Sequence, residues 1–181
     1  MIKKFLSTVF FIFSISYSGE ISVSISENLV NDYLKLIGDH QIPKGKPNDQ
    51  ALWSIKNPRV KFLEGSAEFR AVVNYKKGKT NIKKHVTKNM YVEYNYDNNI
   101  IQLMIEDPII KMERKNRSLG VFDLSTIYQK AGLRFQGPRP KSEIIKLKTI
   151  QGRIKISLNI KKSLIYFEPG VVRVAIDLDY R

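Results

Sequence analysis

Two histidines and no cysteine are all that this chain offers for zinc-type or thiol chemistry. His40 and His85 stand alone in polar surroundings, without a second histidine or clustered carboxylates at ligand spacing, so no metal site is expected. The sequence contains no Gly-x-Ser-x-Gly, no His-Glu-x-x-His and no phosphate-cradling glycine loop. Its acidic residues, among them Glu68, Glu93, Asp177 and Asp179, fall on the polar phase of alternating stretches and read as solvated strand surface. No residue set converges on catalysis or on a cofactor. A non-enzymatic protein is the expectation.

Charge is the next signal. The chain carries 31 Lys and Arg against 17 Asp and Glu, a formal net charge of +14. A field of that sign attracts polyanions such as anionic headgroups. Lys76, Lys77, Lys79, Lys83, Lys84 and Lys88 gather around a segment that reads as a basic loop containing Gly78. They are the expected contact with an anionic membrane surface. No nucleic-acid reading motif is present, so nucleic acid is not an expected partner.

The first eighteen residues say where this charge would act. Lys3 and Lys4 precede an apolar run from Phe5 to Ile15, and Ser16-Tyr17-Ser18 places small residues at a cleavage site. This is the three-part pattern of a secretory signal, with an apolar core short for a membrane span. Residues 1–18 are therefore read as a cleaved signal peptide and residues 19–181 as a single domain. The protein is expected to be periplasmic or secreted, with no membrane-crossing segment after processing. No cysteine follows the apolar run to accept a lipid anchor. A mature chain of about 160 residues can bury one core without disulfides.

The elements that must position these residues follow from periodicity. Ile21, Val23 and Ile25 alternate as a short strand. A helix then carries Leu29, Val30, Tyr33, Leu34 and Ile37 on one face, capped by Ser26 and ended by Gly38. A loop rich in Pro, Gly and Lys spans Asp39 to Asp49. Trp53, Ile55, Val60 and Phe62 form a strand whose phase slips at Asn57-Pro58, as at a bulge. Ala67 to Tyr75, Met90 to Tyr96 and Ile101 to Ile105 continue a meander, with a hairpin turn at Asp97-Asn98-Asn99. Ile110 and Met112 extend the sheet briefly. A second helix is expected from Asp123 to Ala131, then an irregular loop from Arg134 to Lys141. Strands finish the chain, at Ile145 to Thr149, Ile154 to Phe167 and Val172 to Tyr180. The expected fold class is α+β, a highly curved antiparallel sheet wrapped around two helices and enclosing an elongated apolar interior.

Tyr75, Tyr94, Tyr96, Tyr128 and Tyr180 fall on the inward phase, where each hydroxyl needs a partner, and this favours an interior with a wet mouth. The order of elements resembles the tubular lipid-binding (TULIP) superfamily, which includes bactericidal/permeability-increasing proteins and small bacterial envelope members. The stretch Ile21 to Leu34 is similar to that family's first strand and amphipathic helix. Tyr94 to Leu103, followed by Asp107-Pro108, is similar to its central hairpin. The resemblance implies a tube that holds acyl chains and no catalytic residues. The half-barrel of periplasmic lipoprotein carriers is the rival fold.

The expected function is a non-enzymatic envelope protein that binds a lipid or other long apolar ligand, as a carrier between envelope membranes would. The ligand cavity would be lined by Phe69, Val73, Val92, Tyr94, Leu103, Ile105, Leu158, Val174 and Ile176, with Leu34 and Ile127 from the helices. The alternative is a solid interaction domain that presents a basic surface to an acidic envelope partner.

Overall fold

Period-two alternation runs through most of the chain, and it builds strands almost everywhere. The computed structural model describes residues 19–128, 133–140, 144–150 and 152–180. The expected signal peptide lies outside them. The described strands begin with β1 (Gly19–Ser26), β2 (His40–Lys44), β3 (Ala51–Leu63), β4 (Ser66–Lys77), β5 (Thr80–Asn95) and β6 (Ile100–Ile105). They continue with β7 (Ile109–Arg114), β8 (Arg117–Asp123), β9 (Arg134–Gln136), β10 (Ile144–Thr149), β11 (Gly152–Glu168) and β12 (Val171–Tyr180). Between them lie α1 (Glu27–Ile37) and the single turn α2 (Ser125–Tyr128). No helix among the described residues is long and apolar enough to cross a membrane.

These strands form two curled antiparallel half-barrels and a separate hairpin. Among the described residues one sheet has the order β1-β12-β11-β10, the other β2-β3-β4-β5-β6-β9, and β7 pairs only with β8. Strands hold 70% of the described residues, and among these one helix exceeds a single turn. The expectation of a sheet wrapped around two helices is therefore wrong. The physical reason is that strands, not helices, cover the apolar faces. The hairpin β7–β8 lies against the six-stranded sheet, where Trp53 stacks on Phe122 with ring centres 5.5 Å apart and meets Tyr75 edge-on at 5.0 Å. Gly120 makes this approach possible, since a Cβ there would sit 3.1 Å from the Trp53 indole. The Tyr75 hydroxyl donates to the Leu119 carbonyl at 3.1 Å and fastens the hairpin down. In the described residues α2 is one turn, starting after an Asp123 whose carboxylate accepts from the Ser125 amide at 2.8 Å. The remainder of the expected second helix, 129–131, lies outside the described residues.

Helix α1 forms as its sequence dictates but lies on an edge. Ser26 Oγ accepts from the Leu29 amide at 3.2 Å, and Gly38, at φ 74°, donates to the Leu34 carbonyl at 3.0 Å. Val30 and Leu34 are fully buried. Strand β2 pairs only with Ala51 to Ile55, so among the described residues the far half of β3 has no strand on that side. Side chains replace one there. Asn31 Oδ1 accepts from the Val60 amide at 2.7 Å, its Nδ2 donates to the Val60 carbonyl at 3.0 Å, and Glu27 accepts from the Phe62 amide at 2.9 Å. Backbone groups that would otherwise be orphaned are thus satisfied. The bulge expected at Asn57-Pro58 is present as a register shift between Lys56 and Arg59.

Three other segments read as loops are also strands. Residues 40–44 form β2, where Pro43 is tolerated because β2 is a sheet edge. Most of Lys76 to Lys84 belongs to the β4–β5 hairpin, whose register pairs Tyr75 with Ile82 and Val73 with Lys84. Arg134 to Gln136, in the loop expected after α2, forms β9 against β6. The two sheets meet where their turns interlock. Gly65 donates to the Phe167 carbonyl at 3.0 Å, and Gly170 donates to the Phe62 carbonyl at 3.2 Å. A single apolar cluster joins them, with Val172 and Val174 from one sheet and Phe62, Phe69 and Val73 from the other.

Candidate functional site

Most of the expected cavity lining is packed core. Leu34, Phe69, Val73, Val92, Leu103, Ile105, Ile127 and Val174 all belong to the buried cluster that joins the sheets. Ile176 is fully buried on β12. Tyr94 is half-buried and packs at the margin of that cluster. Leu158 differs, because it is buried yet borders an open cleft.

That cleft has a volume of about 360 Å³ and lies between the two sheets. Its floor is Leu158 and Ile160 of β11 with Leu178 of β12. Tyr96, Arg139 and Pro140 form the opposite wall, and Lys161 stands at the rim. A volume of this size is at the lower end of the range for small-molecule sites, roughly 300–1,000 Å³. Apolar floor and cationic rim suit an amphiphile with a negative head.

Each wall has a local cause. On β11 the register pairs Ile160 with Leu178 and then Lys162 with Asp177, so Lys161 is an extra residue in the strand. Such a bulge bends the strand and re-aims side chains. On the other wall Asn99 holds the segment after β9. Its Oδ1 accepts from the Tyr94 hydroxyl at 2.9 Å and from the Arg139 amide at 3.0 Å. Its Nδ2 donates to the Arg139 carbonyl at 3.1 Å, and its own carbonyl accepts from the Gly137 amide at 2.8 Å. The Arg139 guanidinium donates to the Tyr96 carbonyl at 2.9 Å, which sets that side chain at the mouth. The Tyr96 hydroxyl shares a hydrogen bond with Ser163 Oγ and so ties one sheet to the other.

The inward tyrosines were expected to need partners. Tyr75, Tyr94 and Tyr96 have them, as described above. The Tyr128 hydroxyl is buried with no hydrogen-bond partner, and the side chain of Tyr180 lies outside the described residues. Burial raises the Tyr94 hydroxyl pKa above the ordinary tyrosine value, and burial followed by the Asp39 charge raises that of Tyr128 further. Neither can act as a base near neutral pH. Among the described residues no group of three or more His, Asp or Glu could hold a metal ion.

The expected basic patch is divided by the strand geometry. Lys77 pairs with Asp49 at 2.8 Å, Lys88 pairs with Asp107 at 2.9 Å, and Lys84 Nζ donates to the Lys111 carbonyl at 3.4 Å. Lys76 and Lys83 are exposed on β4 and β5, and Lys79 is exposed at their turn. The six lysines do not form one contact surface. Sequence reasoning missed Tyr96, Arg139, Pro140, Ile160, Lys161 and Leu178 as site residues. One signal was available: the even-position alternation from Ile154 to Ile160 breaks at Lys161-Lys162 and gives way to the continuous run Leu164 to Phe167, and the bulge falls at that break.

The chain matches no protein-family model, no curated protein and no solved structure.

Proposed function

We propose that this protein is a non-enzymatic, exported binder of a lipid-like amphiphile, seated in the cleft between Arg139 and Lys161, that carries its ligand within a cell envelope. One observation supports the reading above the rest. The apolar inner face of the four-stranded sheet leaves the closed core at Leu158 and continues outward through Ile156 toward Ile154, which is 49% exposed. An acyl chain could follow that track while its head meets the two cations. The TULIP resemblance is consistent with this function, although the ligand would lie in a cleft and not in a tube.

Extraction of the purified protein followed by lipid mass spectrometry tests the reading. Wild type should yield an anionic amphiphile, and Arg139→Ser/Lys161→Ser should yield much less while melting normally. If wild type yields none, the alternative stands, a solid interaction domain for an acidic partner. The filled core around Phe69 and Val73 favours that second reading.

A further inference from the structure

We infer that the β10–β11 hairpin is a docking element for an anionic bilayer surface. This goes beyond the proposed ligand cleft and holds whether or not the cleft is loaded.

Apart from Ile144 and Ser157, which pair on the cationic face, the two strands divide their residues by chemistry. Ile145 faces Ile156 and Leu147 faces Ile154, all on the face that continues the core. They leave the body as they go, with Ile145 38%, Leu147 45% and Ile154 49% exposed, and Ile150 at the turn fully exposed. On the other face Lys146 stands opposite Lys155, and Lys148 stands opposite Arg153. No acidic residue occurs between Glu143 and Glu168, while Lys161 and Lys162 add two more cations. Strands of six residues make this element about 20 Å long at ~3.3 Å per residue.

Like charges directly opposite one another on a strand pair are destabilising. Two such pairs side by side therefore suggest a counter-charge from outside the fold. An anionic bilayer supplies it together with an apolar layer for the opposite face. The hairpin would lie in the interface with its isoleucines toward the acyl chains. Its long cationic side chains would snorkel back to the phosphates. A second copy of the chain fits less well. Pairing along the edge of β10 would set Lys146 and Lys148 against the same residues of the other copy, which is how edge lysines prevent association.

Vesicle flotation tests this, with phosphatidylcholine alone and with added phosphatidylglycerol, at low and high salt. Wild type should float only with the anionic vesicles, and less at high salt. Each cation near such a surface contributes about fivefold in binding. The variant Lys146→Ser/Lys148→Ser/Arg153→Ser/Lys155→Ser should therefore bind at least about tenfold more weakly. It should melt at or above the wild-type temperature, since the opposed cations are gone, and keep any lipid held in the cleft, so failure of docking and failure of the ligand reading are separable. Ile150→Trp gives a second readout. The chain's one tryptophan, Trp53, is buried, so a blue shift on anionic vesicles reports insertion of the new indole. Unchanged flotation of the quadruple variant would overturn the inference. So would an unshifted Ile150→Trp spectrum, or loss of binding on replacing Lys76 and Lys83 instead. Concentration-dependent dimers of wild type that are lost in the quadruple variant, without vesicle binding, would assign the hairpin to self-association.

Discussion

Asn99 is the residue on which one wall of the cleft depends, and its replacement is the sharpest test of the geometry. Its side chain makes three hydrogen bonds, to the Tyr94 hydroxyl and to both the amide and the carbonyl of Arg139. Each such bond contributes about 0.5–1.5 kcal/mol net, and groups left without a partner in a part-buried site add to the loss. Truncation should therefore cost about 2–4 kcal/mol. The backbone adds a separate term. Asn99 has φ 52°, in the left-handed region that Asn tolerates, Gly adopts freely and Ala resists by about 1 kcal/mol. Asn99→Gly should thus lose the side-chain bonds alone, and Asn99→Ala should lose about 1 kcal/mol more. Urea titration of the three proteins measures both steps, provided unfolding is two-state. A second perturbation probes the same point from the other side. A Cβ on Gly137 would collide with Asn99 Oδ1 and the Tyr94 ring, so Gly137→Ala should also destabilise. Both changes free the segment that holds Arg139, and ligand retention should fall with stability. An Asn99→Ala protein within about 0.5 kcal/mol of wild type would refute the reasoning, because no arrangement of three lost bonds and a strained alanine is that cheap.

Three further outcomes are expected. Asn31→Ala should lower stability by about 1–3 kcal/mol in urea, because both amide atoms of Asn31 close the open edge of β3 at Val60. Tyr128→Phe should leave the melting temperature equal or higher, since the hydroxyl it removes is buried without a partner. The hydrogen bond from Lys88, followed by its charge, holds the Asp107 carboxyl below its ordinary pKa. A carboxyl depressed in the folded state stabilises above its unfolded pKa, and that contribution is lost as pH falls through the folded value. Lys88→Ala should therefore raise the Asp107 pKa in an NMR titration and flatten the acid limb of the stability curve.

Where local chemistry decides an element, the sequence reads correctly. Ser26 and Gly38 bound α1 as their capping preferences require, and Asn57-Pro58 marks a real bulge. The hairpin turn at Asp97-Asn98-Asn99 joins β5 and β6 as expected. The failures share a cause in partners far along the chain. β2 contains Pro43 and forms only because it is an edge of β3. β5 begins early, at Thr80, because Ile82, Val86 and Met90 keep the inward phase although Lys84 and Lys88 interrupt it. The hairpin β7–β8 takes the covering role assigned to a second helix, since Gly120 lets a strand lie on the Trp53 indole. The cleft was illegible for the same reason. Arg139 and Leu158 converge only through the Asn99 clasp and the Lys161 bulge.

That bulge connects the cleft to the hairpin. Strand β11 turns Ile165 and Phe167, at odd positions, onto the core at one end, and Leu158, in phase with Ile160, Ile156 and Ile154 at even positions, at the other, so its inward phase shifts by one residue. In a regular strand such a slip turns every later side chain to the other face. Without the extra residue, Arg153, Lys155, Ser157 and Asn159 would face the core side, and the isoleucines would face outward. Lys161 absorbs the slip, because the register passes from Ile160–Leu178 to Lys162–Asp177 around it. One residue thereby keeps the apolar face continuous from Val174 through Leu158 to Ile154 and leaves a cation at the point where that face opens. Single exposed apolar residues are ordinary on a protein surface, as Leu29 and Leu36 are on α1. An apolar face that is continuous with the core, uncovered along two strands and backed by cations with no intervening acid is a different feature. The bulge is thus the reason that the proposed ligand cleft and the proposed membrane hairpin lie on one track, where an acyl chain leaving the one would pass directly into the layer met by the other.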